Sequence, residues 1–145
     1  MIYAIDCDLR KIYCRSEAGV TITSSNNSLR EVIDALRSSD LVLYEIASAV
    51  DYTDSKAVAH QKRRWTIWNV ATAATLYAVI RTIPNARMLV APSSAWTNGH
   101  PLDVRTKVVK SPAKNKDLRE CDAMMFYYRN NPLKWVPYQT FMDTI

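Results

Sequence analysis

Three acidic residues occupy positions where a soluble fold normally places apolar side chains. Asp6 ends the apolar run 1–5, and Glu45 ends the run 41–44. Asp122 lies on the apolar stripe of a predicted C-terminal helix. The other members of that stripe are Leu118, Cys121, Met125 and Phe126. An isolated ionised carboxylate is very costly to bury. Three such positions in separate segments therefore predict that the fold gathers them around a divalent cation, an arrangement that points to phosphodiester chemistry.

Length and composition favour one ordinary globular domain over residues 1–145. With 48% hydrophobic and 23% charged residues, the chain can bury a core and does not have the composition of a disordered protein. The formal net charge of +5 favours a polyanionic partner.

The three cysteines predict the compartment of the protein. Cys7, Cys14 and Cys121 are odd in number and have no C-x-x-C spacing, which argues against a disulfide framework or a zinc site. We therefore expect a reducing, cytoplasmic location. No signal peptide is recognisable. The longest apolar stretch, at 65–83, is interrupted by Asn69 and Arg81, so it indicates a buried helix and no membrane association.

Hydrophobic periodicity predicts an alternation of strands and helices typical of an α/β fold. The predicted strands are 2–7, 10–15, 19–23, 41–46 and 87–91. The predicted helices are 29–38, 57–82 and 117–129, with a possible short helix at 103–109 in an otherwise irregular segment, 93–116, and an extended tail. This order, β-β-β-α-β-α-β-α, predicts a mixed five-stranded sheet with helices on both faces. Ligands bind such sheets at the carboxyl ends of central strands, where Asp6 and Glu45 lie.

Four stretches, in this order, resemble the RuvC-like Holliday junction resolvases of the ribonuclease H-like superfamily. They are YAID at 3–6, VLYE at 42–45, the long helix with MLVAP at 88–92 and SSAW at 93–96, and KNKDLRECDA at 114–123. The resemblance extends from residue 1 to about residue 130. The short length is similar to compact, phage-type members, which act in the cytosol of a bacterial or phage-infected cell.

The resemblance implies a two-metal site for Mg²⁺, with Mn²⁺ as a substitute. Asp6, Glu45 and Asp122 match three of the family's acids, but Arg119 stands where a further acid is usual. Asp117 and Glu120 are the candidates for the fourth acid. Glu120 is two residues from Asp122 and so points to nearly the opposite side of a helix, which favours Asp117.

Structural roles compete with metal binding at the predicted helix. Asp122 could pair with Arg119 on its own helix. Asp117 and Glu120 could instead form a D-x-x-E capping box at the helix start.

Basic residues near the acids are candidates for phosphate contacts. They are Arg10, Lys62, Arg63, Arg64, Lys114 and Lys116. The cluster 62–64 lies toward the start of the long helix, where cations do not stabilise the helix dipole, so a phosphate contact and a solvated face are both consistent with it. Trp96 and His100, in the irregular segment, are candidates for touching DNA.

The resemblance implies an endodeoxyribonuclease that cleaves four-way or other branched DNA as a homodimer, because a junction offers two symmetric strands. A nuclease for flap or RNA–DNA hybrid substrates is an alternative. So is a non-catalytic nucleic-acid-binding module with the same fold.

Overall fold

The computed structural model describes residues 1–25, 29–47 and 56–144, and for 56–62 it describes only the backbone. The strands are β1 (Ile2–Cys7), β2 (Lys11–Ser16), β3 (Thr21–Ser25), β4 (Leu41–Glu45), β5 (Arg87–Ala91) and β6 (Val136–Pro137). The helices are α1 (Arg30–Leu36), α2 (Lys56–Ile80), α3 (Ser93–Trp96), α4 (Leu102–Val109), α5 (Lys116–Asn130) and α6 (Tyr138–Asp143).

The strands form one mixed sheet in the order β3-β2-β1-β4-β5-β6. β4 runs parallel to both β1 and β5, whereas the β1–β2, β2–β3 and β5–β6 pairs are antiparallel. The α/β prediction is confirmed, but in the described part of the chain the sheet has six strands instead of five. β6 was missed because two residues are too few to show a strand's alternation. The tail predicted as extended contains a 3-10 turn (Pro132–Lys134), β6 and α6.

Two helices lie in the segment predicted to be mostly irregular. α3 follows Pro92 and α4 follows Pro101, consistent with the fixed φ of proline at a helix entrance. Lys110, the C-cap residue after α4, has a left-handed φ of 53°. The possible helix at 103–109 is thus confirmed, one residue longer at its start.

Alternate residues of the central strands point into two separate cores. In β4, Val42 and Tyr44 pack into the core on the face of α1, α2 and α6, and Leu41 and Leu43 pack into the core beneath α5. A strand covered on both faces has no polar side, which explains its continuous apolar sequence. The prediction of helices on both faces is confirmed.

The cysteines are buried in these cores. Cys7, Cys14 and Cys121 are each unpaired. No helix within 1–25, 29–47 and 56–144 is long and apolar enough to cross a membrane.

The packing of α2 predicts a contrast between two of its residues. Leu76 is fully buried, and its change to Ala should lower the free energy of unfolding by about 2–5 kcal/mol because a cavity remains. Thr75 on the same helix is exposed, so Thr75→Ala should change the free energy of unfolding by no more than about 0.5 kcal/mol. Urea denaturation of both variants checks this, and equal losses would contradict the assigned face.

Candidate active site

The parallel pairing of β1 and β4 brings two carboxylates to the same edge of the sheet. Ile5 pairs with Tyr44, so the next residues of the two strands, Asp6 and Glu45, are neighbours. Side chains alternate along a strand, so Asp6 points to the same face as Ala4, and Glu45 to the same face as Leu43. Ala4 and Leu43 belong to the core beneath α5. Both carboxylates therefore face α5.

The start of α5 supplies two more carboxylates, Asp117 and Glu120. The side chain of Asn115 caps the helix by accepting the backbone N–H groups of Asp117 and Leu118. The capping box considered for Asp117 and Glu120 is therefore wrong, because Asn115 does this work. Three residues apart, Asp117 and Glu120 lie on one helix face. Both act electrostatically on Asp6, and Asp117 also hydrogen-bonds its side chain.

Burial and two neighbouring carboxyl groups act together on Asp6. Burial raises the pKa of Asp6 well above its usual range, and the hydrogen bond with the Asp117 side chain and the charge of Glu45 raise it further. Two carboxyl groups can hydrogen-bond each other only if a proton lies between them. This hydrogen bond therefore favours the protonated form of Asp6.

Glu45 is held by an indole group. Burial raises the pKa of Glu45 to about 7, and the charge of Glu120 adds to this effect. The Nε1–H of Trp96 donates to Glu45 Oε2 at 2.9 Å and opposes the rise, as does the charge of Arg105. Trp96 is only 1% exposed, so it does not form the DNA-contacting surface that the sequence suggested. Its observed role is to orient Glu45.

Arg105 of α4 places a cation beside the acids. It forms an ion pair with Glu120, and its guanidinium lies over the Trp96 ring, 5.3 Å from the centroid. Its Nη1 donates to the carbonyl oxygen of His100. Sequence reasoning missed Arg105, because nothing in an irregular-looking segment indicates which cation turns inward. The imidazole of His100 lies 2.8 Å from the Tyr127 hydroxyl.

Asn69 of α2 fixes the end of β4 from the opposite face. It is fully buried, its Nδ2 donates to the Glu45 carbonyl oxygen at 2.9 Å, and its Oδ1 accepts from the Ala47 N–H at 2.8 Å. The Trp65 Nε1–H likewise donates to the Cys7 carbonyl at 2.7 Å, next to Asp6. These bonds anchor the backbone beside both acids. A polar residue in an apolar helix was the sequence signal for Asn69, and its function was not recognised.

Asp122 does not join the other acids. Its Oδ1 accepts from the Arg15 Nε at 2.8 Å, and Oδ2 accepts from the Ser111 hydroxyl. The pair lines a cavity of about 380 Å³ that also involves Met125 and Phe126. The structure thus brings Asp6, Glu45 and Asp117 together with Glu120, the acid that had been ranked lower, and places Asp122 elsewhere.

The alternative partner proposed for Asp122 is also wrong. Arg119 donates to the carbonyl oxygens of Ala113 and Lys114 near the helix start, and Asp122 pairs with a strand residue instead.

Exposed cations lie on three segments around this edge of the sheet. They are Arg10 after β1, Arg63 and Arg64 next to Trp65, and Lys114 and Lys116 at the start of α5. The side chain of Lys62 lies outside the described residues. The exposed group can meet a polyanion that approaches the acids.

The donor chemistry of the acids suits a hard divalent cation. Carboxylate oxygens are the protein ligands that Mg²⁺ prefers. In the described part of the chain, no three His, Cys, Asp or Glu side chains are close enough together to form a metal-binding group. The acids are held instead by the Asp6–Asp117 hydrogen bond, the Trp96 indole and the Arg105 guanidinium. Asp6, Glu45, Asp117 and Glu120 are the carboxylates that a cation could draw together at this edge, since the last three act electrostatically on Asp6.

Comparison with known proteins identifies no family for this chain. The sequence matches no protein-family model, and no curated protein is significantly similar to it.

The raised pKa of Glu45 predicts how stability depends on pH. Between its ordinary pKa of 4.5 and its folded-state pKa of about 7, the folded protein binds more protons at Glu45 than the unfolded chain does. This contribution to stability is therefore lost as the pH rises through that window. Glu45→Gln removes the titration and keeps an acceptor for Trp96. In EDTA, its free energy of unfolding relative to wild type should increase by about 1–3 kcal/mol between pH 5 and pH 8.

Denaturant melts at several pH values measure this difference. Glu17→Gln is the control, because Glu17 is an exposed residue that pairs with Arg129 outside the cluster. A difference for Glu45→Gln that stays constant over pH 5–8 would contradict the assignment.

The Arg15–Asp122 pair predicts a structural role for Asp122. Its two members are 12% and 15% exposed, so Asp122→Asn should leave a poorly solvated guanidinium and lower the free energy of unfolding by about 1–3 kcal/mol. The thermal shift caused by Mn²⁺ should stay as in wild type. If Asp122→Asn keeps its stability but loses the Mn²⁺-induced thermal shift, Asp122 belongs to the cation site.

Proposed function

We propose that the protein is a divalent-metal-dependent endonuclease of ribonuclease H-like fold that cleaves Holliday junctions or other branched DNA. One observation carries the proposal: Asp6 and Glu45 end two neighbouring parallel strands, and Asp117 and Glu120 of α5 lie close enough to act electrostatically on Asp6. Asp6 and Glu45 both have a pKa raised by burial, and strongly perturbed acids of this kind cluster at functional sites. The connectivity of the first five strands supports the fold that the sequence resemblance implies.

Each residue of the site has a role in this proposal. When bound, Mg²⁺ or Mn²⁺ would activate water for attack on the phosphate and stabilise the leaving oxygen. Asp6 and Asp117 would hold the cation together with Glu45, which the Trp96 indole orients. Asn69 keeps the strand end in place, so the carboxylates need little reorganisation when a cation binds.

The exposed cations provide binding to the DNA backbone. Arg63, Arg64, Lys114 and Lys116 neutralise phosphates, so the affinity falls as salt rises. These contacts carry no base information, which suits an enzyme selective for DNA structure.

A homodimer would place two such sites on the two symmetric strands of a junction. The outer face of α2 carries a stripe of exposed apolar residues at helical spacing. The stripe consists of Ile67, Val70, Ala71, Ala74 and Ala78. Its small side chains let a second copy of α2 approach closely, and its burial accounts for apolar surface that the sheet does not use.

A non-catalytic nucleic-acid-binding module is the second candidate. The observation that favours it is the ion pair between Arg105 and Glu120, which neutralises one of the four acids. Flap and RNA–DNA hybrid nucleases share the same chemistry and differ in the substrate alone.

A cleavage assay tests the proposal. Labelled four-way junction, flap, duplex and RNA–DNA hybrid are incubated with the protein in Mg²⁺ or EDTA. We expect junction cleavage in Mg²⁺ alone. Asp6→Asn should lower the rate at least about 100-fold while junction binding in a gel shift persists, because phosphate contacts dominate affinity. Asp34→Asn is the matched control, because Asp34 lies on α1 in an exposed pair with Arg37.

Three results separate the candidates. Preferred cleavage of flap or hybrid would reassign the substrate. Junction binding with no cleavage of any substrate would favour the binding module. Full cleavage by Asp6→Asn would contradict the site.

A further inference from the structure

We propose that Arg105 is a built-in counterion of Glu120. The ion pair keeps Glu120 bound until a phosphate group binds the guanidinium. Only then does Glu120 become available to a divalent cation. This inference rests on the proposed function of the acidic cluster. On this proposal, Arg105 of α4 controls whether Glu120, one of the four carboxylates, can bind a cation.

The ion pair engages both oxygens of Glu120. Arg105 Nη2 contacts Oε1, and Nε lies 3.4 Å from Oε2. The side chains of Arg105 and Glu120 are 11% and 14% exposed, so water competes little for the contact. A guanidinium in this two-point arrangement uses the carboxylate lone pairs that a metal ion would need.

Arg105 makes two further contacts besides the ion pair. It donates to the His100 carbonyl and lies against the face of the Trp96 ring, whose N–H binds Glu45. A cation over an indole ring is a favourable and directional contact. Arg105 therefore touches both the Glu120 and the Glu45 parts of the cluster, which distinguishes it from a solvated surface cation.

Competition follows from charge and from shared ligand atoms. A divalent cation and the guanidinium repel each other and require the same Glu120 oxygens, so each weakens binding of the other by the same factor. A backbone phosphate offers a guanidinium the same two-oxygen geometry as a carboxylate. Exchange of Glu120 for phosphate keeps Arg105 paired and releases an acid to the cation site.

A structural ion pair between α4 and α5 is the opposing explanation. On that explanation, loss of Arg105 would destabilise the protein and leave cation affinity unchanged or weakened. Our proposal requires the affinity to increase.

The deciding experiment measures Mn²⁺ affinity without DNA, from the electron paramagnetic resonance signal of free Mn²⁺. Arg105→Gln should bind Mn²⁺ roughly five-fold more tightly than wild type, because the competing cation is gone. Lys107→Gln removes the same charge from an exposed position on the same helix, and its affinity should stay within about two-fold of wild type.

A double variant tests whether Arg105 affects cation affinity through Glu120. In Glu120→Gln, the further change Arg105→Gln should bring no gain, since the contested carboxylate is absent. Arg105→Lys keeps the charge without the two-point fork and should show a smaller gain, which tests the idea if Arg105→Gln folds poorly.

The outcomes separate this inference from the proposed function. If Asp6→Asn abolishes Mn²⁺ binding and neither Arg105 variant increases it, the counterion role is overturned and the cation site stands. If Asp6→Asn binds Mn²⁺ as tightly as wild type does, the cation site and the counterion role both fall.

Discussion

The in-register parallel pairing of β1 with β4 is the constraint on which the site depends. It sets Asp6 beside Glu45, and α5 adds two more carboxylates opposite them. Two unit charges about 6 Å apart repel by roughly 2–3 kcal/mol at an effective dielectric of 20. The hydrogen bond between Asp6 and Asp117, an indole N–H and a guanidinium each relieve part of this repulsion. The fold tolerates the acids because each is matched to a different partner.

The sequence sufficed to predict the strands that carry Asp6 and Glu45. Each strand is a short apolar run that ends in a carboxylate, and parallel strands bring such ends to one edge. β6 could not be predicted in this way, because its position depends on pairing with β5 and not on its own two residues.

Side-chain partners distant in sequence decided the rest of the site. Asp122 was expected in the cluster because it lies on an apolar stripe, but Arg15 on β2 binds it and draws it to the other side of α5. Glu120 and Asp122 point to different sides of α5, as their spacing on a helix predicts. The sequence placed Asp122 in the site, but Glu120 is the residue that faces Asp6. Asn69 contacts residues 22 and 24 positions away in the sequence, and Arg105 contacts a residue 15 positions away. No local sequence pattern indicates such contacts.

The last strand also determines what the edge of the sheet offers to other chains. β6 pairs with β5 through Val136 and Pro137 alone, and proline has no N–H to donate to a further strand. An edge so short and so poor in donors is a weak template for strand addition. α6 follows at once and packs beside it. A second copy that approaches this edge finds a proline and a helix instead of free backbone N–H and C=O groups. This arrangement protects the folded protein from edge-to-edge aggregation at β6.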